Sequence, residues 1–203
     1  MSTVNPGAAP LLIESLLFIA AIASTLVLAY LPGYICIRIL RGSPLLATAF
    51  APAISMAVAG LAAIGAGLVG LRWGLVPFGV ACAALIAVCG AARALGITLP
   101  PTRLHASVLA LPSKRCAVAW GAALLAALAI CLVPLFVVAR TPGAILERYD
   151  ALYHLNALAF IRDRGDGSSL TINALTRTDL SAASYPAGFH DLASVSYTHL
   201  RAH

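Results

Sequence analysis

Four apolar runs, at about 11–31, 45–71, 74–92 and 117–139, each approach or exceed the roughly 20 residues a helix needs to cross the hydrocarbon of a bilayer. A chain of 203 residues that commits so much of its length to such runs cannot be built around a water-facing core. Composition agrees: 61% of residues are hydrophobic and 10% charged, against about 25% charged in soluble domains. The sequence therefore predicts an all-α, polytopic transmembrane protein forming one domain, with a four-span region over 1–139. No Lys or Arg precedes the first run, which is also too long for a secretory signal, so it reads as a span.

The position of the charges says more than their net +6. No basic run interleaved with aromatics is present, and nucleic acid is not an expected partner. With the N-terminus outside, the inward connections carry Arg38, Arg41, Arg93, Arg103, Lys114 and Arg115, while the short outward one carries Arg72. That asymmetry follows the positive-inside rule and places residues 140–194 on the outer face. The five cysteines lie in or beside apolar runs without Cys-x-x-Cys spacing and read as small core residues.

Within the spans, Pro32-Gly33 is expected to kink or end the first helix before Arg38. Ala59, Ala63 and Gly67, four residues apart, form a flat strip where another helix can approach, although the abundance of Ala produces such strips by chance too. Leu104 to Leu111, in the connection after the third span, suit a membrane surface.

After Thr141-Pro142-Gly143, residues 144–164 read as an amphipathic helix closed by Gly165. Glu147 suits the helix start, and Asp150 and His154, at i and i+4, share a face. Such a pair can orient an imidazole or grip a cation or phosphate; equally, it can be a surface pair worth a few tenths of a kcal/mol. Arg162, Asp163, Arg164 and Asp166 read as a solvated end, with one Arg available to an anionic lipid head. Asp166 to Ser169 is turn chemistry, Leu170 to Ser184 a polar loop, and Tyr185-Pro186 leads into another helix that sets His190 and Asp191 near the membrane surface. Tyr and Phe there serve equally as an interfacial belt.

The stretch Tyr149-Asp150-Ala151-Leu152-Tyr153-His154-Leu155-Asn156, followed by Ile161, Gly165, Tyr185-Pro186 and His190, resembles the large outer loop of the membrane-embedded GT-C glycosyltransferases. More narrowly it resembles an actinobacterial multi-spanning family of unknown function related to them, as do Leu31-Pro32-Gly33 and Ala51-Pro52-Ala53-Ile54-Ser55. The resemblance implies sugar transfer from a polyprenyl-phosphate donor to a glycan or lipid acceptor at the bacterial cytoplasmic membrane. It makes Asp150 and His154 the catalytic positions, and His190, Tyr185, Asn156 and Arg162 the substrate-binding ones. In GT-C enzymes the acidic loop follows the first span; here it follows the fourth. A divalent cation is left open as cofactor. The alternatives are a multi-pass transporter or flippase, which needs polar groups inside its spans, and a non-catalytic membrane scaffold.

Val195 to His203 can be encoded by a string resembling the transposon-end adaptor of sequencing libraries. The sequence is therefore expected to be a gene fragment ending in adaptor read-through, and these nine residues are assigned no role.

Overall fold

The computed structural model describes residues 8–100, 113–139, 149–175 and 184–200, without the side chains at 8–12, 14, 135–136, 138–139, 149–150 and 197–200. The connection holding Leu104 to Leu111, residues 144–148 with Glu147, and the side chain of Asp150 thus lie outside the described residues. Among those described, the structure is all helix: α1 (Ala8–Ile39), α2 (Pro44–Leu68), α3 (Leu75–Ala94), α4 (Lys114–Ala139), α5 (Tyr149–Arg164), a short 3-10 turn (Ile172–Leu175) and α6 (Gly188–Leu200). Four of them, α1 to α4, contain segments long and apolar enough to cross a membrane. Their outward residues include Leu16, Ile19, Leu26, Leu61, Val76 and Val80, side chains that an aqueous surface would not carry in such number.

The chain divides into two compact units, Met1–Phe18 with Thr102–Glu147, and Ile19–Pro101 with Arg148–His203. The first contains α4, which is apolar around its whole circumference, as a lipid-embedded helix is. The second holds most of α1 with α2, α3, α5 and α6, and all the geometry that follows belongs to it.

Pro32 does not end α1, which continues to Ile39. Proline removes a donor from the helix ladder, and the next amide, that of Gly33, donates to Ser55 Oγ of α2 at 3.1 Å. Ser55 is fully buried, and Gly33 has no room for a Cβ because the Ala51 carbonyl occupies that place. Two breaker-type residues thus become a close helix contact. The small-residue strip on α2 is longer than the sequence reading made it: Ala47, Ala51, Ser55, Ala59, Ala63 and Ala66 are all buried.

Ser43 caps α2 by accepting the Leu46 amide, with Pro44 in the first turn. The α1–α2 turn meets the end of α3, where Arg93 donates to the Ile39 carbonyl at 3.0 Å and the Leu99 amide to the Leu40 carbonyl at 2.8 Å. Arg38, Arg41 and Arg93 therefore share one end of the unit. At the other end Arg72 and Trp73 connect α2 to α3, and the α5–α6 segment is fastened there: the Trp73 amide donates to the Gly165 carbonyl at 2.7 Å.

α5 stops at Gly165, whose φ of 69° is a left-handed conformation that favours glycine. From there the chain turns through Asp166, whose Oδ1 accepts the Ser168 amide at 2.9 Å. α6 packs chiefly on α2 and α5. Its first residue, Gly188, lies beside Met56 and Gly60, and Gly60 is about 12 Å along α2 from Leu68 at 1.5 Å per residue. Residues 188–194 make the contacts that define the site.

Candidate functional site

Two turns of α5 and the first turn of α6 bring together residues far apart in the chain. His154 Nδ1 lies 2.8 Å from His190 Nε2, and the two rings stack with centroids 5.0 Å apart. Tyr153 meets Tyr185 edge-on at 5.1 Å and His190 at 6.2 Å, and Phe189 flanks both imidazoles. His154 is exposed while His190 is buried, so the pair runs from the surface of the unit inward.

One imidazole of the pair must donate and the other accept. If His154 donates, the neutral His190 keeps its proton on Nδ1; if His190 donates, its Nδ1 is a lone-pair acceptor. Either way a buried polar atom remains, because His190 Nδ1 has no partner. Burial, reinforced by the charge His154 can carry, holds His190 below the ordinary histidine range. The pair therefore holds at most one extra proton readily. Tyr153 Oη is likewise buried without a partner, and burial next to Tyr185 holds its hydroxyl above the usual phenol range.

The neighbouring residue on α6 faces elsewhere. Asp191 is fully buried and neither carboxylate oxygen has a partner. It sits against Gly167 and Trp73: a Cβ on Gly167 would lie 2.5 Å from Asp191 Oδ1 and 2.9 Å from Trp73 Cδ1. Trp73 Nε1 donates to the Asp191 carbonyl at 3.1 Å and reaches Ser194 Oγ at 3.2 Å. Burial first, and the nearby Asp166 second, push the Asp191 carboxyl up to about 8. Tyr153, His190 and Asp191 supply every partnerless buried side-chain polar atom among the described residues. Buried polar groups are ordinarily satisfied, so the α5–α6 junction is where this unit has unmet polar capacity.

Of the residues expected from sequence, His154, His190 and Tyr185 come together. Asp150 lies in α5 one turn before His154, its side chain outside the described residues. Asn156 is exposed. Arg162 is held at the surface end of α5 in an ion pair with Asp163 at 2.6 Å. One expectation is refined and one is corrected. His190 and Asp191 are not solvated but buried against α2 and α5, where Gly60 and Gly188 let the two backbones approach. The stretch opening at Leu170 is not wholly polar loop, since Ile172 is fully buried in the 3-10 turn and packs in the core with Ile161 and Leu192.

Sequence reasoning missed Tyr153, Asp191 and Trp73 as site residues. The available signal was the His190-Asp191 doublet, two ionisable neighbours in the first turn of a helix whose next residues, Leu192 to Val195, are small or apolar. Among the described residues, no group of three or more His, Cys, Asp or Glu is placed to hold a metal ion.

These features define an all-α, multi-pass membrane protein with a His–Tyr niche and a buried acid at one end of its helices. The chain belongs to the Family of unknown function (DUF6541), whose model matches residues 26–203 and so takes in both parts of the site. Comparison with curated proteins and with solved structures returns no match.

Proposed function

We propose that the protein is a GT-C-like membrane glycosyltransferase, taking sugar from a polyprenyl-phosphate donor outside the bacterial cytoplasmic membrane for envelope polysaccharide or glycolipid assembly. The observation that carries this reading is the pairing of His154 with His190 at 2.8 Å across 36 residues. Both positions match, by resemblance, places near the donor's phosphate, and a paired imidazole suits a group whose charge grows as the bond to it breaks. Asp150, one turn earlier on the same helix, is the candidate base.

In this reading the acceptor oxygen forms a bond to the anomeric carbon as the bond from that carbon to the lipid phosphate breaks. The hydroxyl proton passes to Asp150, and the electron pair leaves with the phosphate, where the imidazole pair meets the added charge. Tyr185 and Tyr153 line the same niche, and Arg162 stands nearer the end of α5, where an anionic headgroup is within its class of ligand.

The transporter or flippase reading has one observation in its favour, the buried His190 and Asp191 packed among helices. The test separates the two. In membranes carrying the protein from its complete natural gene, Asp150→Asn is expected to lower glycan transfer from a polyprenyl-phosphate sugar at least a hundredfold, with normal protein levels. His154→Ala should lower it less, about tenfold. Transfer undiminished in both variants sinks the enzyme reading, and donor translocation without transfer favours transport.

A further inference from the structure

Five α1 side chains, Leu26, Val27, Tyr30, Leu31 and Tyr34, line a groove of about 630 Å³ whose walls are almost wholly apolar. Their spacing sets them on one side of the helix, and Arg38, one turn beyond Tyr34, continues that side to the end of α1. Arg41 follows in the turn, exposed, with φ 65°. Among the described residues it is the non-glycine residue in the left-handed conformation that a helix end ordinarily gives to glycine, so a charge is kept where glycine would fit more easily. Arg38, also exposed, uses one donor on the Gly42 carbonyl at 2.8 Å, and Arg93 one on the Ile39 carbonyl at 3.0 Å. No Asp or Glu stands between Glu14 and Glu147 in the sequence. Among the described residues, no carboxylate stands with these three arginines: Asp163, Asp166 and Asp191 belong to the segment fastened at the Trp73 end.

We propose that this side of α1 binds one anionic phospholipid from the leaflet at the arginine-rich end, an acyl chain lying in the groove and the phosphate meeting Arg38 and Arg41. Charge complementarity selects this occupant. A second apolar helix would fill the groove and leave the arginines uncompensated, and a zwitterionic lipid brings a cation of its own beside them. The dimensions agree: Leu26 to Tyr34 is about 12 Å along the helix and Arg38 about 6 Å further, so the groove runs at chain depth and the guanidinium at the headgroup. Tyr34 stands between the two, where amphipathic rings sit at a membrane boundary. The site lies at the opposite end of the unit from the histidine pair, and the inference does not depend on glycosyl transfer.

The full chain in detergent micelles is titrated with phosphatidylglycerol, and bound lipid is counted by native mass spectrometry. Binding is expected to saturate and to be at least fivefold tighter than that of phosphatidylcholine with the same chains. Glycerol phosphate, the headgroup without chains, should not compete. Arg41→Gly removes a charge while giving the turn its easier residue, so it should weaken binding about fivefold, the factor one basic residue contributes near an anionic surface, without lowering the melting midpoint. Arg38→Gln should weaken it similarly; if that variant does not fold, Arg41→Gly decides. Val27→Trp fills the groove without touching any charge and should weaken binding at least tenfold, while Arg72→Gln, at the other end of the unit, should leave it unchanged. Equal binding of the two lipids, or parental binding in Arg41→Gly or Val27→Trp, overturns the site. So do competition by glycerol phosphate, which assigns the arginines to a free anion, and a lipid-free dimer that Val27→Trp dissociates, which assigns the groove to a second copy of the chain.

Discussion

His154 Nδ1 and His190 Nε2 stand 2.8 Å apart, one ring exposed on α5 and the other buried in the first turn of α6. The contact joins a helix that begins close after the fourth apolar run to one lodged against α2, so the protonation state of one ring bears on how the two helices hold together. A proton on both rings would set two positive charges side by side in a partly dry site.

His190 therefore works against stability in mild acid. Its folded pKa lies below the ordinary 6.5, so just below that pH the unfolded chain binds a proton that the native state refuses. Stability from this group is complete above about 6.5 and is lost as pH falls from there through the lower folded value. Asp191, whose carboxyl is pushed up to about 8, works the other way, its stability growing as pH falls through that value, so thermal unfolding in detergent with EDTA should show a midpoint that rises as pH falls from about 8 and stops rising below 6.5, and His190→Gln should let the rise continue. An identical pH profile for both proteins would show that His190 is not the group responsible.

Gly167 is the tightest point of the acid niche. A Cβ there would stand 2.5 Å from Asp191 Oδ1 and 2.9–3.0 Å from the Trp73 ring, and both neighbours are buried. Gly167→Ala is expected to cost about 2 kcal/mol, the usual scale of overpacking. Gly65→Ala, in α2 with nothing within 4 Å of the added carbon, should be neutral or slightly stabilising. Equal melting of the two variants would contradict the packing described.

The fold was legible in the sequence because a membrane leaves few options: an uncharged run of some 20 residues is a helix in lipid whatever its packing partners. The end of α5 was legible for a local reason, a glycine placed where the chain must take a left-handed turn. The site was legible only in part. Asp150 and His154 are related by helical spacing, and so could be paired on paper. His190 meets His154 through the docking of α6 on α2, which depends on Gly60, Gly188 and the turn at Gly167, and no local pattern encodes that. Asp191 was passed over because a carboxylate in a first helical turn is ordinarily solvated; its burial follows from the same docking.

Ser55 and Gly33 form a second tight point, this one between α1 and α2. Ser55→Ala leaves the amide after Pro32 without its acceptor in a buried place and should destabilise by about 1 kcal/mol. Ser55→Thr keeps the hydroxyl but adds a methyl where Ser55 has no exposed surface, and should also lose stability. Gly33→Ala is expected to be the most damaging of the three, since its new carbon meets main chain at Ala51 and not a movable side chain. Unfolding midpoints that rank the alanine at position 33 as the mildest would refute the contact.

Orientation can be tested at two exposed sites that the geometry places at opposite ends of one unit. Arg38, Arg41 and Arg93 gather where α1 turns into α2 and α3 ends, whereas Arg72 and the α5 segment occupy the Trp73 end. Under the positive-inside rule the arginine-rich end faces the cytoplasm, so α5 faces outward. A reporter must be exposed to be informative, which selects Asp163 on α5 and Leu95 just after α3. Cys116 and Cys131 are exposed, so the five native cysteines are first replaced. In intact cells a membrane-impermeant maleimide is expected to label a cysteine at position 163 and not one at 95; permeabilisation should make both reactive. Labelling of position 95 alone in intact cells would invert the orientation and, by putting His154 and His190 on the cytoplasmic side, remove the lipid-linked donor from the proposed chemistry.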